Sequence, residues 1–307
     1  MDLEGLRPLA GGYSGETFLA ESGGTRTVVR LYERRGSERD DTAVEVDAAV
    51  LRLVRNLLPV PDVLDVRPPN ATDGTPGRLV TSFLPGERLD SLLPDLDQPT
   101  RGAVARNLGE VIGRLAQMPM PRAGQFVDAR LRIEPWAEAT SLPEWVDHQR
   151  RESAIADWQD DAYEQLLSVA GTAQALLDEV DRTCLVHSDF NPKNLLVDPA
   201  TGALTGLLDW EFAHAGSPAA DLGNLLRFDR EPEFVDGVVG GYLGVAGHLD
   251  GLDGPGARGR LLDRARAADL LALLLLAGRR TERHRIVRRA DAQLRAIAAT
   301  GDLHATA

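Results

Sequence analysis

Apolar positions change their period along this chain. Near the start they form short strand-like runs, Thr17-Phe18-Leu19-Ala20 and Arg26-Thr27-Val28-Val29-Arg30-Leu31, separated by the turn signal Ser22-Gly23-Gly24. From Ala43 to Leu58 the spacing becomes helical, with Val46, Ala49, Val50, Leu53, Val54 and Leu57 on one stripe, and it stops at Pro59. Val63 to Val66 and Arg78 to Leu84 flank a loop of Pro, Asn and Gly and predict a hairpin. Pro85-Gly86 then interrupts the chain. Beyond it the period is mostly helical: Thr100 to Gln117, about Trp145 to Val180, Glu233 to Leu243, and two helices from about Ala257 onward. Strand-like pieces return only around Cys184 to Val186, Leu195 to Val197 and Leu204 to Leu208. An α+β protein is expected, with a small β-rich lobe over 1–84 and a larger, mainly helical lobe over 85–307.

Composition narrows the class. The 307 residues are 43% apolar and 26% charged, enough for two lobes with a sizeable core and no long disorder. A net charge of −13 opposes binding to nucleic acid, which needs a cationic surface; it suits a cationic small substrate and equally serves plain solubility. Cys184 is the one cysteine, so no internal disulfide forms, and its apolar run Cys184-Leu185-Val186 marks a buried side chain rather than a nucleophile. Met1-Asp2-Leu3-Glu4 lacks the basic and then apolar character of a signal peptide, and the longest apolar run, Leu270 to Gly278, is too short to span a bilayer. The expectation is a cytoplasmic protein without membrane contact, a monomer or a homodimer.

The strand-like pieces of the second half bracket the residues that carry chemistry. Asp189 is followed five residues on by Asn194 and, after a hairpin, by Asp209. A carboxylate such as Asp189 can orient a hydroxyl and take its proton. The amide oxygen of Asn194 and the carboxylate of Asp209 are hard ligands suited to Mg²⁺. Pro192 bends the loop between Asp189 and Asn194, and Leu195-Leu196-Val197 anchors its end as a strand. His187 suits bracing of that loop better than acid-base work.

His187-Ser188-Asp189-Phe190-Asn191-Pro192-Lys193-Asn194, with Asp209-Trp210-Glu211 and Gly216-Ser217-Pro218-Ala219-Ala220-Asp221-Leu222, resembles the aminoglycoside phosphotransferase and choline kinase-like family. The resemblance implies a two-lobed protein kinase-like fold, a phosphoryl donor that is ATP or GTP, Mg²⁺, and a small-molecule hydroxyl as acceptor. Trp210-Glu211 stands where protein kinases have Phe-Gly and favours the small-molecule branch. Asp221 would be a structural carboxylate that caps the catalytic loop, a role compatible with an ordinary helix N-cap.

The same resemblance extends, less sharply, to the first lobe. Gly11-Gly12-Tyr13-Ser14-Gly15 would fold over phosphates, with Gly12, Tyr13, Ser14 and Gly15 as cofactor-binding residues. Lys193 is the only lysine, so the family's strand lysine is replaced, and Arg30 occupies its place. Its carboxylate partner is Glu45 or Asp47, with Glu45 preferred for reach. Ser82 and Leu84 would meet the purine through backbone groups. Trp136, Glu211 and Glu231 are the acceptor-site candidates among the acidic and aromatic residues. The leading expectation is phosphorylation of an antibiotic, an aminoglycoside or another hydroxyl-rich natural product, with resistance as the outcome. A metabolic kinase for choline, a sugar or an amino alcohol is the alternative. A non-catalytic nucleotide-binding module is the third reading: Arg30 in place of lysine favours it, and the intact Asp189, Asn194 and Asp209 oppose it.

Overall fold

A computed structural model describes residues 6–9, 16–32, 41–279 and 285–307. The chain opens with β1 (Arg7–Pro8), β2 (Glu16–Ser22), β3 (Thr25–Tyr32), α1 (Ala43–Val54), β4 (Val63–Arg67), β5 (Gly77–Ser82), β6 (Glu87–Arg88) and α2 (Leu89–Leu92). It continues through α3 (Gln98–Ala116), β7 (Pro119–Met120), β8 (Gly124–Phe126), β9 (Ile133–Glu134), α4 (Leu142–Glu152), α5 (Asp160–Asp178) and β10 (Thr183–Val186). It closes with β11 (Leu195–Val197), β12 (Leu204–Leu207), β13 (His214–Gly216), α6 (Ala220–Leu225), α7 (Pro232–Ala246), α8 (Ala257–Ala277) and α9 (Arg285–Thr300).

These elements make two compact units. The first is Met1–Thr100, Gln125–Glu134 and Asn191–His214; the second is Arg101–Gly124, Pro135–Phe190 and Ala215–Ala307. Asn194 and Asp209 thus belong to the same unit as the amino-terminal strands, whereas Asp189 belongs to the other.

In the first unit an antiparallel sheet has the order β1-β2-β3-β5-β4. Alternation of side chains puts Ala20, Val29 and Val80 into one small core. Helix α1 buries Val44, Val46, Ala48, Val50, Leu51 and Val54. Of the stripe expected from the spacing only Val46, Val50 and Val54 are buried, while Ala49 is half-buried and Leu53 and Leu57 are exposed, because the buried face is turned toward Val44, Ala48 and Leu51. A second sheet, β12-β11-β6, is made possible by Gly86. Its φ is +124°, and a β-carbon there would lie 2.3 Å from Thr205 Oγ1 and 3.0 Å from the Val197 carbonyl oxygen, so only glycine fits. Thr205 Oγ1 closes the corner by donating to the Pro85 carbonyl at 2.8 Å.

The second unit is built on α4, α5, α8 and α9, whose Val146, Leu166, Ala170, Leu270, Leu274, Leu294 and Ile297 share one core with Ile155. The single helical stretch expected from Trp145 to Val180 is broken at Ser153. This residue is extended (φ −129°, ψ −175°), accepts from the Ile155 N–H through Oγ, and donates to the Gln149 carbonyl, which ends α4 and starts a short 3₁₀ turn. Helical periodicity continues through such a break, so the apolar pattern alone does not register it. Among the described residues no helix is long and apolar enough to cross a membrane.

Candidate active site

In the first unit, local turn chemistry sets Asn194 beside the segment that leads to Asp209. Asn191 Oδ1 accepts from the Lys193 N–H at 3.2 Å, and the Asn194 N–H donates to the Asn191 carbonyl at 3.0 Å, closing a 3₁₀ turn with Pro192 at its first position. The Asn194 carbonyl then accepts from the Leu208 N–H at 2.9 Å. That bond, between the start of β11 and the residue before Asp209, brings the two candidate ligands onto one wall. Buried Trp210 secures the turn by donating from Nε1 to the Leu207 carbonyl at 3.1 Å. Asp209 itself has φ +65°, a conformation that costs a non-glycine residue about 1–3 kcal/mol.

Arg30, on β3, meets this wall as a fork. Nη1 donates to Asp209 Oδ1 at 2.9 Å and Nη2 to Glu211 Oε2 at 2.6 Å. Burial alone would loosen the guanidinium's proton, but the charges of Tyr32, Asp209, Glu211 and Asp47 outweigh it and hold the pKa above the ordinary arginine value. Tyr32, two residues along the strand and so on the same face, donates to Asp47 Oδ2 at 2.7 Å. Burial, then the Asp47 charge, pushes its phenol well above the usual tyrosine range. Of the two helix carboxylates, Asp47 is 3% exposed and faces this group, while Glu45 is half-buried.

A cavity of about 340 Å³ lies within the first unit. Val28, Leu51, Leu79, Leu84 and Leu196 make an apolar part, and Arg30, Asp47, Lys193, Asn194 and Asp209 a polar one. That mixture and size suit a small ligand with a flat apolar body and a charged tail. Ser82 also lines it, but its N–H is committed to the Asp62 carbonyl at 2.9 Å, so any hydrogen bond from its backbone to a ligand falls to the carbonyl. The donor set fits Mg²⁺: a carboxylate that already gathers a cation, with an amide oxygen on the same wall. Among the described residues no group of three or more His, Cys, Asp or Glu side chains is placed to hold a metal by itself.

In the second unit, β10 runs into the loop that carries Asp189. Asp221, near the start of α6, accepts from the His187 N–H at 2.9 Å and the Ser188 N–H at 2.8 Å. Asn224, one turn later on the same helix face, donates to the Ser188 carbonyl at 3.1 Å. His187, fully buried, accepts from the Asp189 N–H through Nδ1 at 3.2 Å. Ser188 is thereby held at φ +67°; with Asp209 and Leu131 it completes the non-glycine residues of positive φ among those described. Backbone strain therefore falls at the residue before the candidate base and at the candidate ligand Asp209.

Residues 5–255 match the phosphotransferase enzyme family. The chain belongs to this family. Two curated relatives are similar to parts of it. Mouse acyl-CoA dehydrogenase family member 10 is 26% identical over 196 residues, which are 59% of this chain and only 16% of that protein. Aminoglycoside 3'-phosphotransferase of Streptomyces ribosidificus is 27% identical over 219 residues, 69% of this chain and 78% of that protein. Among solved structures, a microcompartment-associated aminopropanol kinase superposes with TM-score 0.67 at 21% identity, covering 96% of this chain and 91% of its own. A thermostable mutant of aminoglycoside phosphotransferase APH(4)-Ia, in ternary complex with ADP and hygromycin B, gives TM-score 0.63 at 19% identity, with 97% and 94% covered. At these identities the likeness to the structures is one of fold, and the fold is the α+β, kinase-like one expected from the sequence.

In this phosphotransferase the structure brings some expected residues together and not others. Arg30, Ser82, Leu84, Asn194 and Asp209 line one cavity. Glu211 lies in the same unit, paired with Arg30, whereas half-buried Trp136 and exposed Glu231 belong to the second unit. Gly12, Tyr13, Ser14 and Gly15 lie outside the described residues. Tyr32 and Asn224 escaped the sequence reading. The signals for them were spacing: Tyr32 is i+2 from Arg30 on a strand, and Asn224 is i+3 from Asp221 on a helix.

Proposed function

We propose that the chain is a Mg²⁺-dependent O-phosphotransferase that moves the γ-phosphate of ATP or GTP to a hydroxyl of a small molecule. The observation that carries the reading is the pairing of Asn194 and Asp209 on the wall of one cavity, with Arg30 forked between Asp209 and Glu211. The ADP complex of a protein with the same fold supports a nucleotide as donor. The purine rests on the apolar part of the cavity and meets the Ser82 carbonyl and the Leu84 backbone. Arg30 and Lys193 meet phosphate oxygens, and Asp47, in preference to Glu45, steadies Arg30. Asn194 and Asp209 would hold Mg²⁺, and the ion would supply positive charge against the phosphates.

Asp189 accepts a hydrogen bond from the acceptor hydroxyl, aligns its oxygen with the γ-phosphorus, and takes the proton as the new O–P bond forms and the bond to the nucleoside diphosphate breaks. His187, Asp221 and Asn224 keep that carboxylate in place. The Streptomyces relative supports a hydroxyl-rich antibiotic as the acceptor, with resistance as the result. The superposition on an aminopropanol kinase supports the alternative of an amino alcohol. A coupled transfer assay over both classes, with ATP and GTP in parallel, tests the reading. Asp189→Ala should abolish transfer and leave nucleotide binding nearly unchanged; transfer retained in that variant removes Asp189 from the base role.

A further inference from the structure

The second unit holds a group of arginines that the proposed reaction does not use. At the end of α6 three successive carbonyls each accept from a different guanidinium. Arg266 Nη1 donates to the Leu226 oxygen at 2.5 Å, Arg230 Nε to the Arg227 oxygen at 3.2 Å, and Arg289 Nη2 to the Phe228 oxygen at 3.1 Å. A fourth arginine, Arg227, clasps buried Asp269 with Nε at 3.0 Å from both carboxylate oxygens and Nη2 at 2.6 Å from one. Among the described residues Asp269 is the one carboxylate hydrogen-bonded to any of these four arginines, and Arg227 claims it.

Carbonyl oxygens satisfy N–H groups, but they do not neutralise charge. Arg266 is 6% exposed, its Nε has no hydrogen-bond partner, and the buried Nη2 of Arg230 has none either. Arg230 is tethered at Nη1 to the His304 carbonyl at 2.7 Å. Burial and then the charge of Arg230 push the Arg266 pKa down to about 10. Asp269 acts through space on Arg230 and Arg266, and Asp302 on Arg230, but both arginines stay below the ordinary arginine value, and burial raises the pKa of Asp229, weakening it as a counter-charge. Buried guanidinium nitrogens with open donors, Arg266 Nε and Arg230 Nη2, call for an anion to complete them. Their place is also informative. The other end of α6 carries Asp221, which holds the His187 and Ser188 peptides, and Leu226 is only five residues further, about 7.5 Å of helix rise.

We propose that this cluster is an anion-binding subsite for the acceptor, so that the hydroxylated compound carries a carboxylate or phosphate group seated on Arg230 and Arg266. The inference rests on the phosphotransfer reading and narrows it, placing cationic aminoglycosides behind anionic natural products and metabolites.

Two measurements on the full chain test it. Sulfate, an unreactive anion, is titrated by calorimetry into the protein, into Arg230→Met and into Arg230→Lys; the half-buried position makes both substitutions tolerable. Saturable binding that Arg230→Met loses and Arg230→Lys keeps is expected, and no binding, or equal binding by all three, overturns the site. Transfer is then measured for matched acceptors, gluconate against glucitol and glucose 6-phosphate against glucose, with an aminoglycoside alongside. The anionic member should have a kcat/KM higher by about ten-fold or more, and Arg230→Met should raise its KM by a similar factor while kcat changes little. The KM for nucleotide, read in the same assay, separates this from a general folding loss. Equal use of both members of a pair, or preference for the aminoglycoside, overturns the acceptor assignment. If nothing in the panel is phosphorylated, the phosphotransfer reading itself has lost its support, and the sulfate titration alone decides the site.

Discussion

Arg30 Nη1 stands 2.9 Å from Asp209 Oδ1, joining residues 179 positions apart in the chain. With Nη2 on Glu211, the guanidinium spans two carboxylates that would otherwise repel each other. A lysine has one ammonium at that reach and could not hold both in the same geometry. The arginine at this strand position is thus matched to the Asp209-Trp210-Glu211 segment.

Arg30→Met should therefore leave two carboxylates facing each other without a cation and weaken binding of the Mg²⁺–nucleotide complex by about ten- to a hundred-fold, or ~1.4–2.8 kcal/mol. Arg30→Lys should fall between. Calorimetric Kd values for ATP and GTP provide the check, and an Arg30→Met variant that binds like the parent removes this residue from the nucleotide site.

The two helix carboxylates are separable by single substitutions. Asp47→Asn weakens the acceptor of the Tyr32 hydroxyl and the field on Arg30, so nucleotide affinity should drop several-fold. Glu45→Gln should change it by no more than about 0.5 kcal/mol, the usual range for a side chain away from a site. The reverse ranking would restore Glu45 as the partner.

Asp221→Ala strips the His187 and Ser188 peptides of their acceptor within a buried loop. Two stranded N–H groups should lower stability by about 2–4 kcal/mol, read as a shifted urea midpoint at constant m. Transfer should fall with it, because Ser188, at positive φ beside Asp189, then keeps the Asn224 bond to its carbonyl but loses the one to its N–H.

Burial pushes the Cys184 thiol up to about 12, with the Asp221 charge adding to the effect. The folded protein then keeps a proton that the unfolded chain releases near pH 9. Stability from the neutral thiol is complete below that value and is lost as pH rises toward 12. Relative to Cys184→Ala, the wild type should lose about 1.4 kcal/mol per pH unit over that window. Parallel curves for the two proteins would show that the thiol does not carry this dependence. At pH 8 the thiol should resist alkylation until the chain is unfolded.

Much of the site was legible in the sequence because it is local. Asn191-Pro192 makes its own turn, and the five-residue step from Asp189 to Asn194 needs no distant contact to be recognised. The choice between Glu45 and Asp47 was not legible. Two residues on a helix lie about 200° apart, so one of them turns away from the sheet, and which one depends on how α1 packs. The break at Ser153 was missed because apolar periodicity continues on both sides of it. The arginines near α6 gave no signal either, since Arg227, Arg230, Arg266 and Arg289 are scattered over sixty-odd positions.

By itself, then, the sequence determined the longer elements, though not the short strands β6, β7, β8, β9 and β13, and it determined the residue types of the chemistry. Strand alternation, helical spacing and turn residues are interactions between neighbours a few positions apart. Tertiary structure alone decided the charges' partners: Arg30 with Asp209 and Glu211, Arg227 with Asp269. A buried charge takes whichever opposite group the fold delivers within about 3 Å, and the chain order does not record that distance.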